Sequence, residues 1–295
     1  MVRRWWSTAR VLVDDVRARA RGHDLMLTAA GLTLYAGIAI VPLLLFGLYG
    51  TGLVIGADRA AAIIERLAVY VPPTMGVPMI VRELGEVGPR LGIPSLIASI
   101  VTASTYGEGL LRAVCALEGQ STGNRTLAGR VRVLPYLGVF PLVTMAGLLT
   151  VAGLPDLLGG GAIGRVLGIY LTFCIGWLSA SALLIVLYRL FAGRVLRWAA
   201  IVWGSLATGS FLAGMSLGWV LVLRFGVTVG RAFGGSDELG RVVLFAVYLL
   251  LVQTAVLLGY LLVLAIDDHL RPAAGDDVET EPVETRDRET DPATR

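Results

Sequence analysis

The side chains able to do chemistry are few and scattered. Two histidines, His23 and His269, each stand beside acidic residues at the border of an apolar run. Histidine is a common acid–base group and metal ligand. These two lack HxxxH or HxH spacing, and no Walker loop or GxSxG elbow occurs. A solvated, interfacial role is expected for both. Cys115 and Cys174 belong to no CxxC pair and are expected to be inert thiols on apolar faces. No nucleophile–base pair is visible, so the chain is expected to be no enzyme, with no metal and no cofactor.

Polar residues set against apolar runs are the stronger candidates. Glu108 follows Tyr106-Gly107 at the end of an apolar stretch, and an ionisable group at membrane depth suggests function. Arg112 lies four residues on, so an interfacial ion pair is the favoured reading. Gln253 sits in the middle of the last apolar run, where an amide wants a partner on another helix. Tyr35 and Arg189 could join Glu108 and Gln253 in lining a bundle cavity. Pro42 lacks an N–H and should kink its helix, freeing a carbonyl near Ile38. Such breaks line cavities in transporters and can equally be plain structure. Gly214 and Gly218 form a GxxxG, and Ser205 with Gly209 has the same spacing. Small residues let helices approach closely, inside the bundle or at a sliding or dimer interface.

The elements that must position these residues are membrane helices. Only 16% of the chain is charged, and its mean hydropathy is +0.75. Six uncharged runs stand out: Leu25–Ala57, Leu91–Gly107, Val133–Pro155, Val166–Tyr188, Trp198–Leu223 and Val242–Ile266. About 20 apolar residues span the hydrocarbon as a helix. The second run is the shortest and is expected to extend past Glu108 or to tilt less. Helices satisfy their own backbone in lipid, whereas open strands do not. The runs lack period-two alternation, which argues against a barrel. The expected fold is an all-α, polytopic membrane bundle of about six spans, residues 25–268, with no soluble domain.

All 25 basic residues are arginine. With the N-terminus inside, inner segments hold 17 of them and outer segments 8, so both termini are expected to be cytoplasmic. Residues 1–24 form a polar, Arg-rich leader without signal-peptide character. Asp58–Tyr70 suggests a short amphipathic helix capped by Asp58 and broken at Val71-Pro72-Pro73. Leu110, Val114 and Leu117 extend the second span's stripe. Residues 269–295 are acidic and poor in apolar groups, and should be disordered. The net charge of +3 is small and the arginines are dispersed, which argues against nucleic acid as a partner.

Ala29-Ala30-Gly31-Leu32-Thr33-Leu34-Tyr35, followed by Ile40-Val41-Pro42-Leu43-Leu44, resembles the first span of the YihY/BrkB family of bacterial inner-membrane proteins. Leu187-Tyr188-Arg189 resembles that family's Tyr-Arg signature. The small-residue fifth span, Phe233-Gly234 and a long final span follow in the same order. The stretch Leu190-Phe191-Ala192-Gly193 departs from the family by lacking a Pro. Gly259-Tyr260-Leu261 stands where the family closes on Gly-Ala-Glu, and Ser236-Asp237-Glu238 is an acidic insertion. The resemblance implies a six-span inner-membrane fold and adds Tyr188 to the candidates. Its historical label, ribonuclease BN, conflicts with the absence of residues to hold catalytic metals. Two roles stay open: a transporter or flippase-like lipid handler, and an envelope scaffold. In the second, the acidic tail would recruit a cytoplasmic partner and the fifth span would drive homo-oligomerisation.

Overall fold

The computed structural model describes residues 2–68, 77–120, 127–137, 139–140, 143, 161–224 and 235–271. Among these residues, every regular element is a helix. They are α1 (Val2–Arg21), α2 (Leu25–Ile55), α3 (Ala57–Ala68), α4 (Val77–Val87), a 3-10 turn (Gly88–Arg90), α5 (Ile93–Leu117), α6 (127–137), α7 (Ala162–Phe191), α8 (Trp198–Arg224) and α9 (Asp237–Leu270).

Four helices are long and apolar enough to cross a membrane: α2, α7, α8 and α9. The run at 91–107 lies inside α5, a helix of 25 residues that also carries Glu108 and Arg112. The helix thus continues past Glu108, but α5 is not one of these four. Most of the run at 133–155, the break at Val71-Pro72-Pro73, Phe233-Gly234 and the tail from 272 lie outside the described residues.

Helix α9 is the hub. Its apolar stretch is 61% buried, whereas that of α7 is 11% buried. Helix α2 packs on α5 and α9, and α8 packs on both α7 and α9. The outer faces show Ile163, Val166, Ile169 and Leu178 of α7, Trp203 and Phe211 of α8, and Val242 of α9, all more than half exposed. Such a continuous apolar surface would drive association in water, but suits lipid. Six hydroxyls on these helices are satisfied locally: Thr33, Thr172, Ser181, Thr208, Ser216 and Thr254 each donate to the carbonyl four residues earlier. This leaves few polar groups to face hydrocarbon.

Helix α2 starts where the Asp24 side chain accepts the Leu27 N–H at 3.2 Å. It continues unbroken through Pro42 and stops at Gly56, whose φ of 91° suits glycine. Asp58 lies in the first turn of α3 rather than capping it. There it meets the positive end of the helix and Arg90 at 2.5 Å. Helices α3 and α4 pair with each other, Arg82 lying 3.4 Å from Glu65, and the 3-10 turn packs Gly88 and Pro89 on Leu48 and Gly52 of α2. At the other end of α2, residues 2–21 form a helix that their polar composition does not announce. Val16 and Ala20 seat it on the core.

Candidate functional site

A cavity of about 350 Å³ lies among α2, α5, α6, α7, α8 and α9. Its walls are hydrocarbon except for the hydroxyls of Tyr106 and Tyr136 and the amide of Gln253. Tyr106 on α5 donates its hydroxyl to Oε1 of Gln253 on α9 at 3.1 Å. Both side chains are buried. The bond ties two helices together inside the bundle and uses the amide's acceptor, while its two N–H donors can serve another partner.

Charged side chains gather at one end of the bundle. Gly107 and Gly129 let α5 and α6 cross closely: a Cβ on Gly107 would lie 2.6 Å from the Gly129 carbonyl oxygen. This approach sets Arg130 beside Glu108. The Glu108 carboxylate is 8% exposed, and it holds Arg112 at 2.7 Å and Arg130 at 3.0 Å. At the close of α5, Glu118 accepts the Tyr260 hydroxyl and the Gly193 N–H, the latter at 3.2 Å.

Asp267 is fully buried near the end of α9. Its Oδ1 accepts the Arg197 backbone N–H at 2.9 Å, which satisfies a donor at the start of α8 from another helix. Its Oδ2 faces Arg271 at 3.0 Å and Arg194 at 3.4 Å. The neighbouring Asp268 bridges Arg194 and Arg19, each at 2.8 Å. Together these contacts tie α1, α5, the α7–α8 turn and α9. Among the described residues, no three His, Cys, Asp or Glu side chains gather as a metal site. His23 sits with Nδ1 2.9 Å from the Arg19 carbonyl.

A family model described as virulence factor BrkB matches residues 16–283, nearly the whole chain. The chain belongs to the BrkB family. Searches of curated proteins and of solved structures return no match.

The residues that carry this BrkB resemblance pack rather than gather. Tyr35 lies against Gly109, whose missing side chain makes room for the ring. Tyr188 is buried, donates to the Val256 carbonyl at 2.8 Å, and stacks at an angle on Tyr260, 5.7 Å between ring centres. Gly259 keeps the space that Tyr188 and Thr208 fill. Arg189 points away from the cavity: it is exposed and lies over the Trp198 ring at 5.1 Å. Pro42 is half-buried on α2 between wall residues Ile40 and Leu43.

Of the residues singled out in the sequence, only Gln253 lines the cavity itself, and Glu108 belongs to the charged end instead. Gly209 packs against Ser181 of α7, while Gly214 and Gly218 meet nothing within 4 Å among the described residues. Sequence reading did not single out Tyr106, Arg130, Glu118, Tyr260 or Asp267 as site residues. A signal for Arg130 existed in the pair Gly107 and Gly129, but nothing local announces which helices will cross there.

Proposed function

We propose that this BrkB protein is a six-span inner-membrane protein with both termini cytoplasmic, which binds and moves a small apolar molecule or lipid and performs no chemical step of its own. The cavity is the observation that carries this reading. Its size and apolar walls suit a hydrophobic ligand, and the amide N–H donors of Gln253 are the groups we assign to orient a polar head.

Chain geometry supports the sixth span. Glu118 at the end of α5 meets Gly193 just past α7. Two helices that finish on one side are consistent with one further crossing between Gln120 and Gly161, and the run at 133–155 is the candidate. The meeting of Arg19 and Asp268 supports α1 and the end of α9 lying on one side, in keeping with an even number of spans. The arginine distribution favours the cytoplasm for that side.

The test is flux of fluorescent lipid analogues and small apolar solutes across vesicles holding the purified protein. Wild type should move at least one class faster than empty vesicles, and Gln253→Leu should slow it. Equal rates with and without protein for all probes would reject the reading. A scaffold role has one observation in its favour, that Gly214 and Gly218 on α8 meet nothing within 4 Å among the described residues, and would show as a dimer lost on Gly214→Leu.

A further inference from the structure

Helix α1 carries a charged face that, among the described residues, no acidic side chain pairs with. Val16 and Ala20 turn its docked face to the core, and Arg19 bonds Asp15 and Asp268. Arg10, Arg17 and Arg21 are exposed, and no described carboxylate pairs with them. Spacings of seven and four residues bring these three within about 40° of one another on the helix surface. Val13 is 63% exposed and lies between this stripe and the docked face. Asp14, also exposed, sits on the far flank.

The Arg21 end of the stripe lies close to exposed apolar side chains of α2. Helix α2 begins four residues after Arg21, and its first turn already exposes Met26 by 60% and Leu27 by 70%. At about 1.5 Å of rise per residue, Arg21 therefore stands no more than a turn or two from lipid-facing side chains, at headgroup depth. Guanidinium groups match phosphate oxygens in a two-pronged geometry. An arginine row beside an apolar flank is what a helix lying at the headgroup–acyl boundary requires.

We propose that α1 binds anionic phospholipid headgroups, Arg10, Arg17 and Arg21 holding the phosphates and Val13 turning toward the acyl chains. The position beside exposed Met26 and Leu27 favours lipid over an acidic protein. Anionic leaflets attract basic juxtamembrane segments, so the bound lipid would hold the start of α2 at a set depth. The proposal stands apart from the cavity and from any transported molecule.

The experiment measures binding of phosphatidylglycerol and of phosphatidylcholine to the purified full-length protein in mild detergent, by native mass spectrometry, at two salt concentrations. Wild type should prefer phosphatidylglycerol, and more salt should weaken the preference. Each arginine replaced by Gln should cost about fivefold, and R10Q/R17Q/R21Q on the order of 100-fold. R59Q, which removes an exposed arginine at the other end of α2, should leave the affinity unchanged. The three α1 arginines are exposed and pair with no described carboxylate, so an unchanged melting curve verifies that the triple variant is folded. Wild-type affinity in the triple variant, equal binding of phosphatidylcholine, or an R59Q loss as large as that of R17Q would each overturn the proposal.

Discussion

Glu108 offers the sharpest test of the charged end, because its carboxylate and its cations differ in exposure. The carboxylate is 8% exposed, while the Arg112 and Arg130 side chains are 53% and 41% exposed. Glu108→Gln removes the buried charge and leaves two arginines that can turn to water. Their loss of charge-assisted bonds is therefore discounted, and the expected cost is about 1–2 kcal/mol. The reverse change is worse. R112M/R130M keeps much of each stem's bulk but leaves a buried carboxylate without a cation, which costs about 3–5 kcal/mol.

The telling variant is the neutral triple E108Q/R112M/R130M. It should be more stable than the double by roughly 2 kcal/mol, since the uncompensated charge is gone. Reversible unfolding of the purified protein by SDS in mixed micelles, followed by tryptophan fluorescence, reads all four free energies. A double variant as stable as Glu108→Gln would refute the reasoning, because Glu108 would then have to reach water.

The bond between Tyr106 and Gln253 should show a coupling of about 0.6 kcal/mol, and no more than about 1.7, in a cycle of Tyr106→Phe and Gln253→Leu read by the same unfolding assay. Gly259→Leu would drive a side chain into Tyr188 and Thr208. It should cost at least about 1–3 kcal/mol or abolish folded protein on size-exclusion chromatography, whereas Gly218→Ala should stay within about 0.5 kcal/mol. Asp267→Asn retains an acceptor for the Arg197 N–H and Asp267→Ala does not, so the Ala variant should be less stable by about 1 kcal/mol; equal melting of the two would discount that bond.

The sequence alone determined that most of this chain belongs in lipid, because charge-free runs of helical length have no other stable solvent. It placed α2, α7, α8 and α9 within a few residues for the same reason: burial in hydrocarbon acts on composition, which is local. Gln253 was legible as a residue seeking a partner, since an amide in an apolar run has nowhere else to bond. Its partner was not legible, because Tyr106 lies 147 residues away and only the packing of α5 on α9 joins them. Glu108 shows the same division. Arg112 is visible one helical turn ahead, but Arg130 arrives only because Gly107 and Gly129 let two helices touch.

Other features belonged to tertiary structure throughout. α1 looked like a polar leader, and it becomes an element through the Arg19–Asp268 contact and the seat of Val16 and Ala20. Gly209 and Gly218 are alike in sequence, yet one meets α7 and the other meets nothing within 4 Å among the described residues. Local sequence encodes how much a segment prefers lipid and helix. The choice of neighbour depends on shapes and charges far apart along the chain, and those meet only once the helices have packed.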